Sequence, residues 1–215
     1  FWKNSALPLP NGRQAFVAAL LISAGAVLYG YFEALSVRTE RVVIPTSKLP
    51  GSIARFTIVQ ISDVHLGLIV GSDRLKRILG KIAEVGPDML VSTGDLVDGQ
   101  MDDLDNLVDE LRKVNPRYGK FAVTGNHEFY AGIDHSMDFT RRAGFTVLHN
   151  SMVDVGGVLT VAGVDDPAGR AFGKPAVPER EVLEKAPRER FLVLLKHRPA
   201  VARESAGLFD LQLSG

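Results

Sequence analysis

After residue 55 the chain alternates between short apolar runs and amphipathic stretches, and four of the runs end on a cluster of acids, amides or histidines. The runs cover residues 56–61, 89–92, 120–124, 159–164, 191–195 and 209–213. Each has the length and apolarity of a buried strand. Helical spacings lie between them. In 73–85, Leu75, Ile78, Leu79, Ile82 and Val85 share one face, and in 102–114 the set is Leu104, Leu107, Val108, Leu111 and Val114. Ser72 or Asp73 is expected to cap the first of these helices, and Asp102 or Asp103 to place acid at the start of the second. A shorter helix is expected over 179–186. Residues 146–161 read as two extended pieces joined near Gly156-Gly157, and Val42-Val43-Ile44 as a further strand, ended by Pro45, in the link over 33–55. Strand–helix alternation with an antiparallel addition predicts an α/β sheet domain.

Composition narrows the chemistry. The 215 residues carry 25 Lys+Arg against 25 Asp+Glu, which suits one ordinary domain plus an appendage and argues against a bulk basic nucleic-acid-binding surface. Cysteine is absent, which excludes a disulfide scaffold, Cys-ligated zinc or iron–sulfur, and thiol catalysis. Neither G-x-x-x-x-G-K-[ST] nor G-x-G-x-x-G occurs, and no Ser stands in a G-x-S-x-G elbow. The five histidines, at 65, 127, 135, 149 and 197, are the scarce chemistry.

Their positions are informative. Asp63 and His65 follow the first run, Asp95 and Asp98 the second, Asn126, His127 and Glu128 the third, and His197 the run over 191–195. Ligand sites in open α/β sheets lie beyond the carboxyl ends of the strands, so these clusters can converge on one cleft. Asp, His and Asn offer oxygen and imidazole nitrogen but no sulfur, a donor set for Mn, Fe, Zn, Ni or Mg. Residues i and i+2 of an extended segment point the same way, so Asp63 and His65 can grip one ion while Val64 turns into the protein. Gly94 and Gly125 immediately precede ligand candidates, where a missing Cβ permits a sharp turn or the close approach of an ion. Asp95, with two oxygens, can bridge two ions.

Taken singly, each cluster has an ordinary reading as a capped turn, a helix N-cap or a satisfied core histidine. Their joint order, each at a strand end, is what coincidence explains poorly. His135 is expected at a helix start on the surface and His149 in a turn, with Met137 and Phe139 packing a short helix. Lys196 and Arg198 flank His197 either as anion binders or as a solvated face.

In sequence order these blocks read D-x-H, G-D-x-x-D, G-N-H-[DE] and a later H. They resemble the calcineurin-like metallophosphoesterases, over about residues 40–215. The string I-S-D-x-H-x-G behind an N-terminal hydrophobic segment is similar to the bacterial membrane-associated branch. The resemblance implies a sandwich of mixed β-sheets flanked by helices, two divalent metal ions, and hydrolysis of a phosphoester. By resemblance, Asp63 and His65 bind the first ion, Asp95 bridges both, and Asn126 and His197 bind the second. His127 would bind the phosphoryl oxygen or protonate the leaving group, with Glu128 orienting it. Asp98 would hold a ligand loop or a histidine N–H. The family's final block, G-H-x-H, does not occur in these residues, so the parent chain is expected to continue with it just past Gly215 and to give each ion one more imidazole. Were these residues the whole polypeptide, a weakened second site and little activity would be expected. The chemistry is coherent: two ions about 3.5–4 Å apart can clamp a phosphoester and acidify a bridging water. An imidazole titrating near neutrality can protonate the departing oxygen.

Residues 15–32 carry no charge. As a helix they would span about 27 Å, close to the hydrocarbon thickness of a bilayer. Tyr29 and Tyr31 would then sit at an interface. A span over about 15–32, within an N-terminal segment of 1–35, fits this run better than a buried core helix or a cleaved signal peptide, whose apolar region would be shorter. Lys3 and Arg13 precede it and Arg38, Arg41 and Lys48 follow it, which leaves the side of the domain over 40–215 open. A lipid-linked phosphoester or pyrophosphate reached at the bilayer surface is the expected substrate, with a phosphoprotein or a cyclic nucleotide as alternatives. The competing expectation is a non-catalytic regulatory or scaffold module that keeps the same fold. Nothing in the sequence sets the oligomeric state.

Overall fold

The structure is a computed structural model that describes residues 11–67, 70–99, 104–175 and 177–215. The chain divides into two units, Phe1–Thr39 and Glu40–Gly215. In the first, α1 (Gly12–Leu35) contains the uncharged run and has no buried residue. It is long and apolar enough to cross a membrane by length and composition. Its start is fixed by a capping box. Asn11 Oδ1 accepts from the Gln14 N–H (2.9 Å) and Gln14 Oε1 accepts from the Asn11 N–H (3.0 Å), so two amide donors at the helix start are satisfied. Lys3 lies outside the described residues.

The second unit contains, among the described residues, two four-stranded sheets. The first is parallel throughout, in the order β1 (Ile58–Ile61), β2 (Met89–Ser92), β3 (Lys120–Ala122), β4 (Thr146–Val147). The second is mixed. β5 (Ser151–Val155) and β6 (Leu159–Gly163) form an antiparallel hairpin, and β7 (Phe191–Leu195) and β8 (Leu211–Leu213) continue it in parallel. The connecting helices are α2 (Ser72–Val85), α3 (Asp105–Arg112), α4 (Asn126–Tyr130), α5 (Ile133–Arg142) and α6 (Glu179–Leu183), with a 3₁₀ helix over Pro167–Phe172.

Alternation along the strands builds four layers. On β2, Leu90 faces Leu75 and Ile82 of α2 and Leu107 and Leu111 of α3, while Met89 and Val91 face the second sheet. On β7, Val193 and Leu195 enter the same inter-sheet core, whereas Leu192 and Leu194 pack on Val182 and Leu183 of α6. Both strands are covered on both faces, which is why their sequences are apolar without interruption. Met137 and Phe139 are buried on α5 as expected.

Two local expectations are corrected, and a third falls on residues that are not described. Val42-Val43-Ile44 forms no strand: Val42 and Val43 are 81% and 82% exposed. A lone extended segment has no neighbour to take up its N–H and C=O groups. Neither Ser72 nor Asp73 caps α2. Gly71 occupies the N-cap without a side-chain bond, and Asp73 lies in the first turn, favourable to the helix dipole. Asp102 and Asp103 lie outside the described residues, and the acid in the first turn of α3 is Asp105.

At the amino end of the first sheet, β3 opens on Lys120, which is 6% exposed. Its ammonium donates to Leu111 O (2.8 Å) and Ala143 O (2.6 Å), carbonyls at the C-terminal ends of α3 and α5. A cation suits two negative helix termini, yet burial still pulls the Lys120 pKa down to about 8.

Candidate metal centre

Loops at the carboxyl ends of β1, β2, β3 and β7 supply the centre. Hydrogen bonding between the first two runs on past the strands. Asp63 N–H donates to Gly94 O (3.2 Å), His65 N–H to Asp95 O (3.0 Å), Leu66 N–H to Leu96 O (2.9 Å) and Asp98 N–H to Leu66 O (2.8 Å). The two loops are therefore one zipped unit.

Asp63, His65 and Asp95 each have φ +51°, and among the described residues only Asn150 joins them as a non-glycine at positive φ. Left-handed backbone costs an L-residue roughly 1–2 kcal/mol, and here it falls on three of the five expected ligands. The reason given by sequence for the D-x-H spacing is thus corrected. Asp63 and His65 are not alternate residues of an extended segment; each is turned individually, with Val64 buried between them.

Both converge on Asp95. Ligand atoms of Asp63, Asp95 and His197 lie within 4.8 Å of one another, and so do those of His65, Asp95 and His127. Asp95 Oδ2 faces His197 Nε2 at 3.3 Å and His65 Nε2 at 3.7 Å, while Oδ1 accepts from the His127 N–H (2.9 Å). Burial works to raise the Asp95 pKa, but the hydrogen bonds from His197 and the His127 N–H outweigh it and hold the carboxyl below its usual range. The same Asp95 contact pushes His197 up to about 9. His197 Nδ1 lies 3.0 Å from Thr93 O, a partner that requires an N–H there and turns Nε2 toward Asp95. Asn126 opens α4 directly after Gly125, half-buried.

The two motif glycines are forced by contact. A Cβ on Gly94 would stand 2.6 Å from Gly125 N and 2.9 Å from His197 Nδ1; one on Gly125 would stand 2.1 Å from Asp95 Oδ1. The intruder is therefore the neighbouring loop.

Glu128 takes a different part from the one expected. Its side chain is 1% exposed, and its carboxylate accepts from Asp95 N (3.0 Å), Gly125 N (2.7 Å), Leu96 N (2.7 Å) and Val97 N (3.4 Å). It fastens the Asp95 loop to the Gly125 loop. Burial raises its pKa, and the backbone N–H groups oppose that rise. Orientation of His127 falls to Asp98 instead, whose Oδ1 lies 3.0 Å from His127 Nδ1.

Lys196 and Arg198 are both engaged. Lys196 is buried against Glu179, and Arg198 holds Asp166 with two hydrogen bonds (2.8 and 3.0 Å). His135 is exposed near the start of α5, and His149 lies in a bend, paired with Asp165 at 3.0 Å. Asp166 was missed by the sequence reading although the strand-end rule reaches it, since Asp165-Asp166 follows β6.

Residues 56–212 match the Calcineurin-like phosphoesterase family. An uncharacterized metallophosphoesterase of Aquifex aeolicus is 42% identical over 201 residues, which cover 93% of this chain and 75% of the relative. A transmembrane protein with metallophosphoesterase domain from Danio rerio is 33% identical over 199 residues, covering 88% and 46%. The uncharacterized metallophosphoesterase YkuE of Bacillus subtilis is 31% identical over 212 residues, covering 94% and 72%. The chain thus spans three quarters of the first relative and less than half of the second. The matched region contains every residue of the centre just described, and the chain belongs to the calcineurin-like phosphoesterase family.

Proposed function

We propose that this protein hydrolyses a phosphomonoester or phosphodiester with two divalent ions held by Asp63, His65, Asp95, Asn126 and His197. The observation that carries this reading is Asp95: one carboxylate belongs to both groups of converging donors. Carboxylate, amide and imidazole donors fit Mn, Fe, Zn, Ni or Mg. When bound, such ions polarise a phosphoryl oxygen and lower the pKa of water.

The remaining work falls to the chain. Asp98 holds Nδ1 of His127, so Nε2 is the nitrogen left to carry a proton for the departing oxygen or to bind a phosphoryl oxygen. Glu128 keeps the Asp95 and Gly125 loops in register. We place the protein at a membrane through α1, which is supported by its length and apolarity and by relatives named as transmembrane proteins. A lipid-linked phosphoester would then be within reach at the bilayer surface.

The test is hydrolysis of bis-p-nitrophenyl phosphate by the purified full chain with Mn²⁺ and with chelator. Turnover is expected to be chelator-sensitive and to fall at least about a hundredfold in Asp95→Asn. His127→Ala is expected to lose turnover while metal analysis shows its ions retained; loss of an ion would make His127 a ligand. Chelator-resistant turnover, or unaltered turnover in Asp95→Asn, would overturn the proposal.

A further inference from the structure

Beside His127 the surface carries two exposed aromatic rings. Tyr130 is 60% exposed and Phe172 is 48% exposed. Their centroids lie 6.1 Å apart, and Tyr130 meets the His127 ring edge-on at 5.5 Å. Large apolar side chains left this open on a folded domain mark a contact site when they cluster, and this cluster adjoins the group assigned to the departing oxygen.

The rings are held in place from beneath. Phe172 stacks at 6.0 Å on Phe129, which is buried. Phe172 ends the 3₁₀ helix over Pro167–Phe172, and a Cβ on Gly169 of that helix would stand 2.8 Å from the Phe129 ring, so the helix lies directly on it. The helix is capped by Asp166, which accepts from Ala168 N (2.8 Å) and is gripped by Arg198, the neighbour of His197. A continuous frame therefore runs from one proposed ligand, through Arg198, Asp166 and Phe172, to Tyr130 and His127. Rings fixed in this way lose little freedom when something packs on them.

We infer that Tyr130 and Phe172 form a wall that holds the carbon group of the ester, and that the substrate carries a bulky apolar group there, ring or chain, rather than a small or hydrophilic one. This rests on the phosphoesterase reading. It adds a selection at the leaving group that the metal centre alone would not make. An aromatic contact beyond simple area burial is worth roughly 0.5–1.5 kcal/mol, or up to about tenfold in affinity.

Binding of methyl-, phenyl- and hexylphosphonate to the full chain, measured by calorimetry, tests the wall without turnover. The phenyl or hexyl compound is expected to bind about tenfold tighter than the methyl one. Which of the two leads distinguishes a ring from a chain. Phe172→Ala and Tyr130→Ala are expected to collapse the ratio of phenyl- or hexylphosphonate affinity to methylphosphonate affinity, and Phe172→Tyr to retain it. A parallel assay with aryl phosphoesters separates the two readings. Ring-dependent binding without chelator-sensitive turnover would keep the wall and remove the hydrolase. Equal affinities for all three compounds, or a preference untouched by Phe172→Ala and Tyr130→Ala, would overturn the wall.

Discussion

The two ends of the first sheet solve the same electrostatic problem with opposite charges. At the carboxyl end the buried carboxylate of Glu128 gathers backbone N–H groups from the Asp95 and Gly125 loops. At the amino end the buried ammonium of Lys120 gathers carbonyls from the ends of α3 and α5. Each meets the rule that an interior charge must be hydrogen-bonded. The difference lies in what their partners carry. Glu128 secures the loop that carries left-handed Asp95 and the one that carries Asn126 and His127, whereas Lys120 secures helix ends that carry no chemistry. One charge therefore holds the centre and the other holds the scaffold.

The comparison can be broken at either end. The largest effect is expected from Glu128→Gln, which turns an acceptor toward donors as a donor itself. It should lower stability by about 2–4 kcal/mol and weaken metal affinity about 10–100-fold. Denaturant unfolding and metal titration of the same sample would show both losses; a loss of stability with metal affinity intact would separate Glu128 from the centre.

Lys120→Met is expected to leave chelator-sensitive turnover at pH 7 unchanged and to alter the pH dependence of stability. Burial lowers the Lys120 pKa from 10.5 to about 8, so between these values the unfolded chain binds the proton that the folded one has released. Stability then rises with pH across that window by an amount on the order of 2–3 kcal/mol, and the gain is lost as pH falls through 8. Unfolding curves from pH 7.5 to 10.5 should show this slope in the parent and not in Lys120→Met.

The smallest change sharpens the contrast at the strained end. Asp63→Gly removes an exposed side chain and relieves φ +51°, offset in part by the greater freedom of glycine in the unfolded chain. Thermal unfolding without metal should show a gain of about 0.5–1 kcal/mol, with turnover lost. A destabilised Asp63→Gly would mean that the left-handed turn is not under strain.

Much of this was legible in the sequence because the strands are buried on both faces. Apolar runs such as 89–92 and 191–195 became β2 and β7 without adjustment, and the polar clusters that follow them arrive together. What escaped was decided by tertiary contact. Alternation suggested that Asp63 and His65 share a side, but hydrogen bonds to the neighbouring loop turned each residue left-handed. The family resemblance implied that Glu128 would orient His127, but in a short helix the third residue folds back onto its own N-terminus and the loop packed there. Nothing in the spacing of Tyr130 and Phe172 could pair them, since the 3₁₀ helix that presents Phe172 lies more than one strand further on. The capping box at Asn11 and Gln14 was readable and lay just outside the uncharged run that drew attention.

A Cβ on Gly94 would strike the Gly125 backbone and one on Gly125 the backbone N and carboxylate of Asp95, whether or not an ion ever sits between the loops. A relative that had given up its chemistry would still require both. Along such a lineage the glycines would trace the packing of the fold, and only the carboxylates and imidazoles beside them would trace hydrolysis. A decayed copy would betray itself by glycines that have outlived their neighbours.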